Sequence, residues 1–270
     1  MFPFLIGDQI EDPEDPVWKL ALLLKSICEY VFAPAITNLQ LLKLKQMIAI
    51  YLETRAKLFS KKLQPKHHYL GHYPELVTYF GPLIRLWTLR FESRHVFFKQ
   101  AAKCANNFKN ITKTLANKYV LNFAYKFTGY MFPSTVVYKE KDASPIVIAD
   151  MKQEVVNIIE EDPSFQHILK SVDIHGITYS PGLWVLLGAK KSDLIVGEIL
   201  FILYDGSKVK FVLKVCTAVN SNQGYYSIET DEQFGSILKE DLVDYYPLPA
   251  YEYYGKQCLT LKHTCPFLDE

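Results

Sequence analysis

Two histidines have the spacing of a metal-binding pair. His68 and His72 are four residues apart, so a helix would place both imidazoles on one face, where they can share a zinc ion. The glutamate base of a metalloprotease helix is missing, because Tyr69 follows the first histidine. His67 and His95 are available, but neither stands at an obvious position for a third ligand. We therefore interpret the pair as part of a packed, hydrogen-bonded histidine cluster and predict no metal site.

Glu92 is a lone carboxylate between two arginines, Arg90 and Arg94. Such an acid is either neutralised by the neighbouring cations or retained for chemistry, and a salt bridge is the simpler interpretation. Other catalytic signatures are missing: no serine stands in a Gly-x-Ser-x-Gly turn, and neither a Walker A motif nor a G-x-G-x-x-G string occurs. The sequence thus indicates neither a serine hydrolase nor a phosphate-cradling loop.

Basic residues dominate the segment from Thr54 to Lys126. It holds fourteen lysines and arginines against two acids, a net charge of +12 in a chain whose total is +1, and aromatic residues are interleaved with the cations. Cations that neutralise phosphates release counterions, and aromatic rings stack on bases, so the segment predicts a nucleic-acid-binding surface. A solvated helix face is the alternative interpretation. The candidate phosphate-binding residues are Lys61, Lys62, Lys66, Arg85, Arg90, Arg94, Lys99, Lys103, Lys109 and Lys113. We expect His67, His68, Trp87 and Phe91 to build the core beneath them.

Apolar side chains recur at three- and four-residue steps through the first 126 residues, which predicts an all-helical region. The expected helices cover 17–32 and 38–63, a His-rich segment that ends near Pro74, 75–79, and 84–125 with a bend. Residues 129–150 contain two prolines and mixed charge, which indicates an irregular connector, and 151–161 is a short acidic helix.

The period changes to two from Val172 onward, which predicts strands. They cover 177–187, 194–204, 208–219 and 225–230, and Asp205-Gly206 between two of them is a hairpin signal. Short, regularly spaced strands favour a small barrel or curled sheet. The predicted fold class is therefore α+β, with a helical basic region at 1–128, a connector with a short acidic helix at 129–171, and a small β-barrel-like module with a tail at 172–270.

Cysteine usage and hydropathy indicate an intracellular protein of the nucleus or cytoplasm. Five cysteines are scattered and never form a pair with two residues between them, so the sequence predicts neither a disulfide framework nor a zinc knuckle. No apolar run approaches the roughly 18 residues of a membrane span. Residues 2–10 lack the basic start and small-residue cleavage site of a signal peptide. We expect no membrane partner.

The segment 63–119 contains a series of short motifs: Pro65-Lys66-His67-His68, His72-Tyr73-Pro74, Phe80-Gly81-Pro82-Leu83, Trp87, Arg90-Phe91-Glu92, His95, Phe98-Lys99 and Asn107-Phe108-Lys109-Asn110. In their order and approximate spacing they resemble the C-terminal region of CACTA, or En/Spm-like, DNA transposases of animal genomes. The flanks, with the opening FPFLIGD and Trp18 and the β-rich segment 176–247, also look like this region.

Such transposases use three carboxylates to hold two divalent metals, and the resemblance matches Glu92 to the third of these acids. The family's two aspartates lie upstream of the matching region. The resemblance therefore implies a C-terminal piece or a domesticated derivative of a transposase, catalytically incomplete by itself and without a cofactor.

Three functions follow from these observations. The first is a transposase-derived protein that binds DNA without catalysis. The second is a subunit or fragment of a DDE-type transposase, in which Glu92 binds Mg²⁺ as the third carboxylate. The third is a protein-interaction module in the β-rich part, whose contact residues would be Tyr245, Tyr246, Tyr251, Tyr253 and Tyr254, although packing in the core or its rim is the simpler use of these rings.

Overall fold

The computed structural model describes residues 2–60, 62–105, 109–130, 136–139, 142–148 and 151–265. The chain forms two compact units. One consists of Met1–Ile84 together with Val136–Glu270 and is called the core unit below; the other is Arg85–Thr135, the helix-pair unit. Most helices precede the antiparallel strands along the chain, with one α-helix between two strands, which confirms the predicted α+β class.

The described residues of the core unit form five α-helices: α1 (Phe2–Ile6), α2 (Pro16–Val31), α3 (Asn38–Leu58), α4 (Pro65–Phe80) and α7 (Gln153–Glu160). The start of α2 is fixed by Asp15, whose carboxylate accepts from the amides of Val17 and Trp18. A capping box between Thr37 and Gln40 starts α3. No helix among the described residues is long and apolar enough to cross a membrane.

Buried side chains at helical spacing hold α2, α3 and α4 together. Leu20, Ile27 and Tyr30 of α2 pack against Leu44, Ile48 and Tyr51 of α3, and Leu70 and Tyr73 of α4 lie against this cluster. The helix α4 continues through Pro74, where the sequence predicted a break, so that prediction is wrong. Burial of Pro74 and Val77 keeps α4 on the helical core, which outweighs the one amide hydrogen bond that proline cannot make.

The helix-pair unit contains α5 (Leu89–Ala105) and α6 (Ile111–Tyr125), preceded by a 3-10 turn at Leu83–Leu86 and followed by a π turn at Lys126–Tyr130. The expected bent helix 84–125 is thus divided into separate elements. Tyr119 of α6 stacks on Phe98 at 5.8 Å and meets Phe97 edge-on at 6.2 Å. The ammonium of Lys118 also donates to the Ala101 carbonyl at 3.3 Å. Wherever the structure describes the side chains of this unit, none of them is buried.

Eleven strands are found in the described residues of the core unit. A small sheet has the order β1-β4-β5, and a larger one has the order β10-β11-β9-β8-β7-β3-β2, with β6 also paired to β7. The strands are β1 (Val136–Val137), β2 (Ala143–Pro145), β3 (His167–Leu169), β4 (Val172–Ile174), β5 (Ile177–Tyr179), β6 (Trp184–Lys190), β7 (Asp193–Tyr204), β8 (Val209–Asn220), β9 (Tyr226–Leu238), β10 (Tyr251–Tyr253) and β11 (Lys256–Leu259).

The larger sheet is a curled half-barrel in which β7 pairs with two different strands along one of its edges. Its first half pairs with β6 and its last three residues pair with β3, while β8 lies along its other edge. Register shifts between Ile199 and Phe201 and between Val215 and Thr217 bend the long strands. The core beneath the sheet includes Val185, Ile202 and Phe211, each fully buried.

The predicted hairpin at Asp205-Gly206 is confirmed, since it joins β7 to β8 with Tyr204 opposite Val209. Other strand boundaries differ from the prediction. The expected strand 177–187 is interrupted after β5 by a turn in which Gly182 has φ +84, and 225–230 is only the first part of β9. The expected irregular connector supplies two short strands, β1 and β2, because strands of both sheets leave a free edge there.

The N-terminal helices pack directly on the strand module within the core unit. The Gln40 side-chain amide in α3 donates to the Cys265 carbonyl at 2.7 Å, and the Thr264 amide donates to the Glu29 carbonyl of α2 at 3.1 Å. Phe4 of α1 sits among three tyrosine rings at 5.1–5.6 Å, those of Tyr225, Tyr251 and Tyr253. The first three helices are therefore joined to the strands and to residues 263–265, the described part of the tail after β11.

Candidate functional sites

The predicted phosphate-binding cations lie at the surface wherever the structure describes their side chains. Lys62 and Lys66 are exposed at the start of α4 in the core unit. Lys61 and the side chain of Arg90 lie outside the described residues. The remaining six are exposed residues of the helix-pair unit: Arg85, Arg94, Lys99, Lys103, Lys109 and Lys113.

Of the three histidines of α4, one is buried and two are exposed. His67 is 7% exposed, and its Nδ1 accepts from the Gln64 amide at 2.9 Å as part of the helix start. Burial lowers the pKa of His67, and the cations of Arg55 and Lys66 lower it further, which keeps the accepting nitrogen free of a proton. His68 and His72 are exposed, with their Nε2 atoms 3.1 Å apart. The expected histidine cluster is therefore a surface pair beside one buried ring.

Three residues expected in the core are exposed instead. His68 is on the outer face of α4, Trp87 is 40% exposed, and Phe91 is 73% exposed. The prediction that they build a core is wrong, because it assumed that aromatic rings beside cations must be covered. The ring contacts of Phe97 and Phe98 with Tyr119 lie in the second half of α5, whereas Phe91 at its start is exposed.

Glu92, the candidate catalytic acid, is exposed in the first turn of α5. Its backbone amide lies 3.3 Å from the Thr88 carbonyl, so the residue also belongs to the helix start, where a negative charge is favourable. Two-metal catalysis needs several carboxylates around one point. In the described part of the chain, Glu92 belongs to no group of three metal-ligating side chains.

The five tyrosines proposed for protein contact divide into two groups. Tyr251 and Tyr253 are half-buried against Phe4. Tyr245, Tyr246 and Tyr254 are exposed. Lysines lie over two of these exposed rings, Lys239 at 5.7 Å from the Tyr245 centroid and Lys262 at 5.1 Å from that of Tyr246.

A second cluster of chemically active side chains lies in the tail of the core unit. Asp244, His263 and Cys265 are 6%, 6% and 3% exposed, and their carboxylate, imidazole and thiol atoms all lie within 4.8 Å of one another. His263 Nε2 is 3.5 Å from Asp244 Oδ1 and makes no hydrogen bond, although it is fully buried. The His263 Nδ1 lies 3.1 Å from the Thr264 carbonyl, to which it can donate.

Neighbouring elements hold these three side chains in place. Asp244 follows a 3-10 turn at Lys239–Asp241, and its Oδ1 accepts from the Tyr246 amide at 3.1 Å. Residues 263–265 follow β11 and are tied to α2 and α3 through the backbone of Thr264 and Cys265. Burial acts to lower the pKa of His263, but Asp244, Cys265 and the Thr264 carbonyl outweigh it and raise the pKa to about 10.

Sequence reasoning missed this cluster because its members are separated along the chain. Asp244 is distant in sequence from His263 and Cys265, and the scattered cysteines suggested no knuckle. The one local signal is the His-x-Cys spacing at 263–265, which is too short to identify a site without a third ligand.

Comparisons with protein-family models, with curated protein sequences and with solved structures find no match for this chain.

Proposed function

We propose that this chain is a transposase-derived protein that binds DNA through the helix-pair unit and does not cut it. The observation that carries the proposal is the charge of Arg85–Thr135: nine basic residues and one acid, or +8, in a chain whose total is +1. Because the rest of the chain is acidic, this unit is the natural contact for a polyanion. The proposed DNA partner favours the nucleus over the cytoplasm.

The arrangement of the cations supports this proposal. Lys99 and Lys103 are four residues apart on one face of α5, and both ammonium groups are exposed. Lys113 is exposed in the first turn of α6. Flexible lysines on helices contact phosphates without reading bases, so the binding should show little sequence preference.

Exposed aromatic rings give the same unit a second means of contact. Phe91 and Trp87 are exposed to solvent near the start of α5. An exposed ring can stack on an unpaired base, a contact that tolerates any sequence. The resemblance to CACTA transposases, whose pieces include Trp87 and Arg90-Phe91-Glu92, supports DNA as the polyanion.

The proposal is tested by fluorescence anisotropy of a labelled duplex at several salt concentrations. Affinity should fall steeply as salt rises, and replacement of Lys99, Lys103 and Lys113 by glutamine should reduce the slope of log K against log salt by up to about 2.7, or 0.9 per lost phosphate contact. The control replaces three exposed lysines of the core unit, Lys170, Lys208 and Lys256, by glutamine. Equal losses in both variants, or no binding by the parent protein at low salt, would refute the proposal.

The lack of cutting is tested with supercoiled plasmid in Mg²⁺ or Mn²⁺. We expect the plasmid to stay intact, because Glu92 is the only acid of the helix-pair unit and two-metal catalysis needs more. Metal-dependent nicking that Glu92→Gln abolishes would instead support the DDE-transposase alternative.

A further inference from the structure

The side chains of Asp244, His263 and Cys265 can serve a purpose unrelated to DNA binding. We propose that they form a zinc-binding site that joins the tail of the core unit to the loop after β9. One imidazole, one thiolate and one carboxylate are all accepted zinc ligands. The soft thiolate makes Mg²⁺ or Ca²⁺ a poor occupant, because these ions prefer oxygen ligands.

The separations fit the coordination sphere of zinc. Two ligand atoms about 2.1 Å from a tetrahedral ion lie about 3.4 Å apart. His263 Nε2 and Asp244 Oδ1 are 3.5 Å apart, and Cys265 Sγ lies within 4.8 Å of both. Zinc binding therefore requires the thiol to approach the other two ligand atoms. A water molecule supplies the fourth ligand in zinc sites with three protein ligands.

The surroundings of His263 suit the neutral tautomer that binds zinc through Nε2. Its Nδ1 faces the Thr264 carbonyl at 3.1 Å, and a proton there leaves the lone pair on Nε2. That Nε2 is buried, has no hydrogen-bond partner, and faces the carboxylate and the thiol. A buried nitrogen without a partner is costly, and a bound cation removes the cost.

A proton on His263 Nε2 would interact with the Asp244 carboxylate less favourably than a zinc ion bound to both groups. Charge-assisted hydrogen bonds between nitrogen and carboxylate oxygen measure about 2.7 to 2.9 Å, shorter than the 3.5 Å observed here. Zinc with one carboxylate and one thiolate gives a neutral cluster, which suits a site whose three residues are each more than nine-tenths buried. On binding, the Cys265 thiol and the His263 Nε2 each lose a proton to solvent, and the sulfur and the nitrogen form bonds to the metal.

The test uses the full chain, purified without a polyhistidine tag, loaded with zinc and dialysed. Elemental analysis should find about one zinc per chain. Substitution by Co²⁺ should give visible bands typical of tetrahedral geometry and a near-ultraviolet thiolate-to-cobalt charge-transfer band. A folded protein that retains no metal and shows no such band would overturn the proposal.

Matched variants separate this site from other metal-binding groups. Cys265→Ser should lose the charge-transfer band, whereas Cys258→Ser, at an equally buried cysteine of β11, should keep it. Replacement of the exposed pair His68 and His72 by alanine should leave the stoichiometry unchanged. A band that survives in Cys265→Ser, or a stoichiometry that depends on His68 and His72, would overturn the proposal.

A second variant covers the case in which Cys265→Ser does not fold. Asp244→Asn keeps the shape of the side chain, and its zinc affinity, measured by competition with a chromophoric chelator, should fall at least about tenfold. An unchanged affinity in a folded Asp244→Asn protein would contradict the assignment.

Discussion

The turn between β7 and β8 depends on one carboxylate. Asp205 Oδ1 accepts from the amides of Ser207 and Lys208 at 2.7 and 2.6 Å and from the Ser207 hydroxyl at 3.0 Å. The two amide hydrogen bonds, first that of Lys208, lower the pKa of Asp205 below its usual value. Gly206 at φ +101 completes the turn, since that backbone conformation favours glycine.

Asp205→Asn should therefore destabilise the protein in a pH-dependent way. A lowered carboxyl pKa stabilises the folded state above the unfolded pKa of about 3.9 and loses this effect as the pH falls through the folded pKa. Urea unfolding near neutral pH should show the variant less stable by about 1 kcal/mol. Near pH 3 the difference should shrink. Glu252→Gln, at an exposed acid of β10, serves as the control, and a difference that stays constant with pH would contradict the argument.

At the residue scale, the sequence predicted which charged side chains are exposed, but not which side chains lie close together in the folded chain. The exposed lysines of α5 and α6 were predictable, because cations on a helix face remain in water unless paired. The cluster of Asp244, His263 and Cys265 was not, since only the fold brings a loop and a tail together. The core positions of Trp87 and Phe91 were mispredicted because aromatic character alone does not decide burial.

Close packing of the sheet leaves no room for a side chain at Gly197. This residue of β7 lies between Val185 of β6 and Val215 of β8. A methyl group there would lie 2.8 Å from Leu213 Cδ1 and 3.3 Å from Leu187 Cδ1. Leu213 is itself buried, so it has little freedom to move aside.

Gly197→Ala should lower the free energy of unfolding by about 1–3 kcal/mol, the usual cost of overpacking. Gly188→Ala is the matched control, because Gly188 lies in the neighbouring strand β6 with no atom within 4 Å of the added methyl group. Chemical denaturation measures both. If the two variants were equally stable, the tight contact with Leu213 would not constrain the sheet.

At the element scale, periodicity predicted the type of most elements and the hairpin, but not every boundary. The sequence Asp205-Gly206 carries its own turn chemistry, so the hairpin was predictable from local residues. The continuation of α4 through Pro74 was not, because it depends on packing against α2 and α3. The short strands β1 and β2 likewise form only because β4 and β3 offer them an edge.

At the scale of the whole molecule, the sequence predicted that helices come first and strands later. The division into 1–128, 129–171 and 172–270 follows changes in periodicity, and it stays a prediction that proteolysis can test. Packing places Met1–Ile84 and Val136–Glu270 in one compact unit. The contact that joins α3 to the tail spans 225 residues of sequence, a distance at which no local pattern carries information.

Substitution of Gln40 tests whether α3 and the sheet depend on each other for stability. Its side chain is fully buried, donates to the Cys265 carbonyl and accepts from the Thr37 amide in the capping box. Gln40→Ala therefore removes both hydrogen bonds, and the lost contact to the buried carbonyl costs about 1–3 kcal/mol. Because α3 and the sheet share the core unit, we expect both to lose stability together. The helical far-ultraviolet circular dichroism and the near-ultraviolet signal of buried aromatic residues such as Trp184 should shift to the same lower melting temperature.

Gln46→Ala, at an exposed position of the same helix, should change stability by less than about 0.5 kcal/mol. A Gln40→Ala protein whose helical signal melts early while the near-ultraviolet signal keeps its parent midpoint would show that the helices and the sheet fold independently.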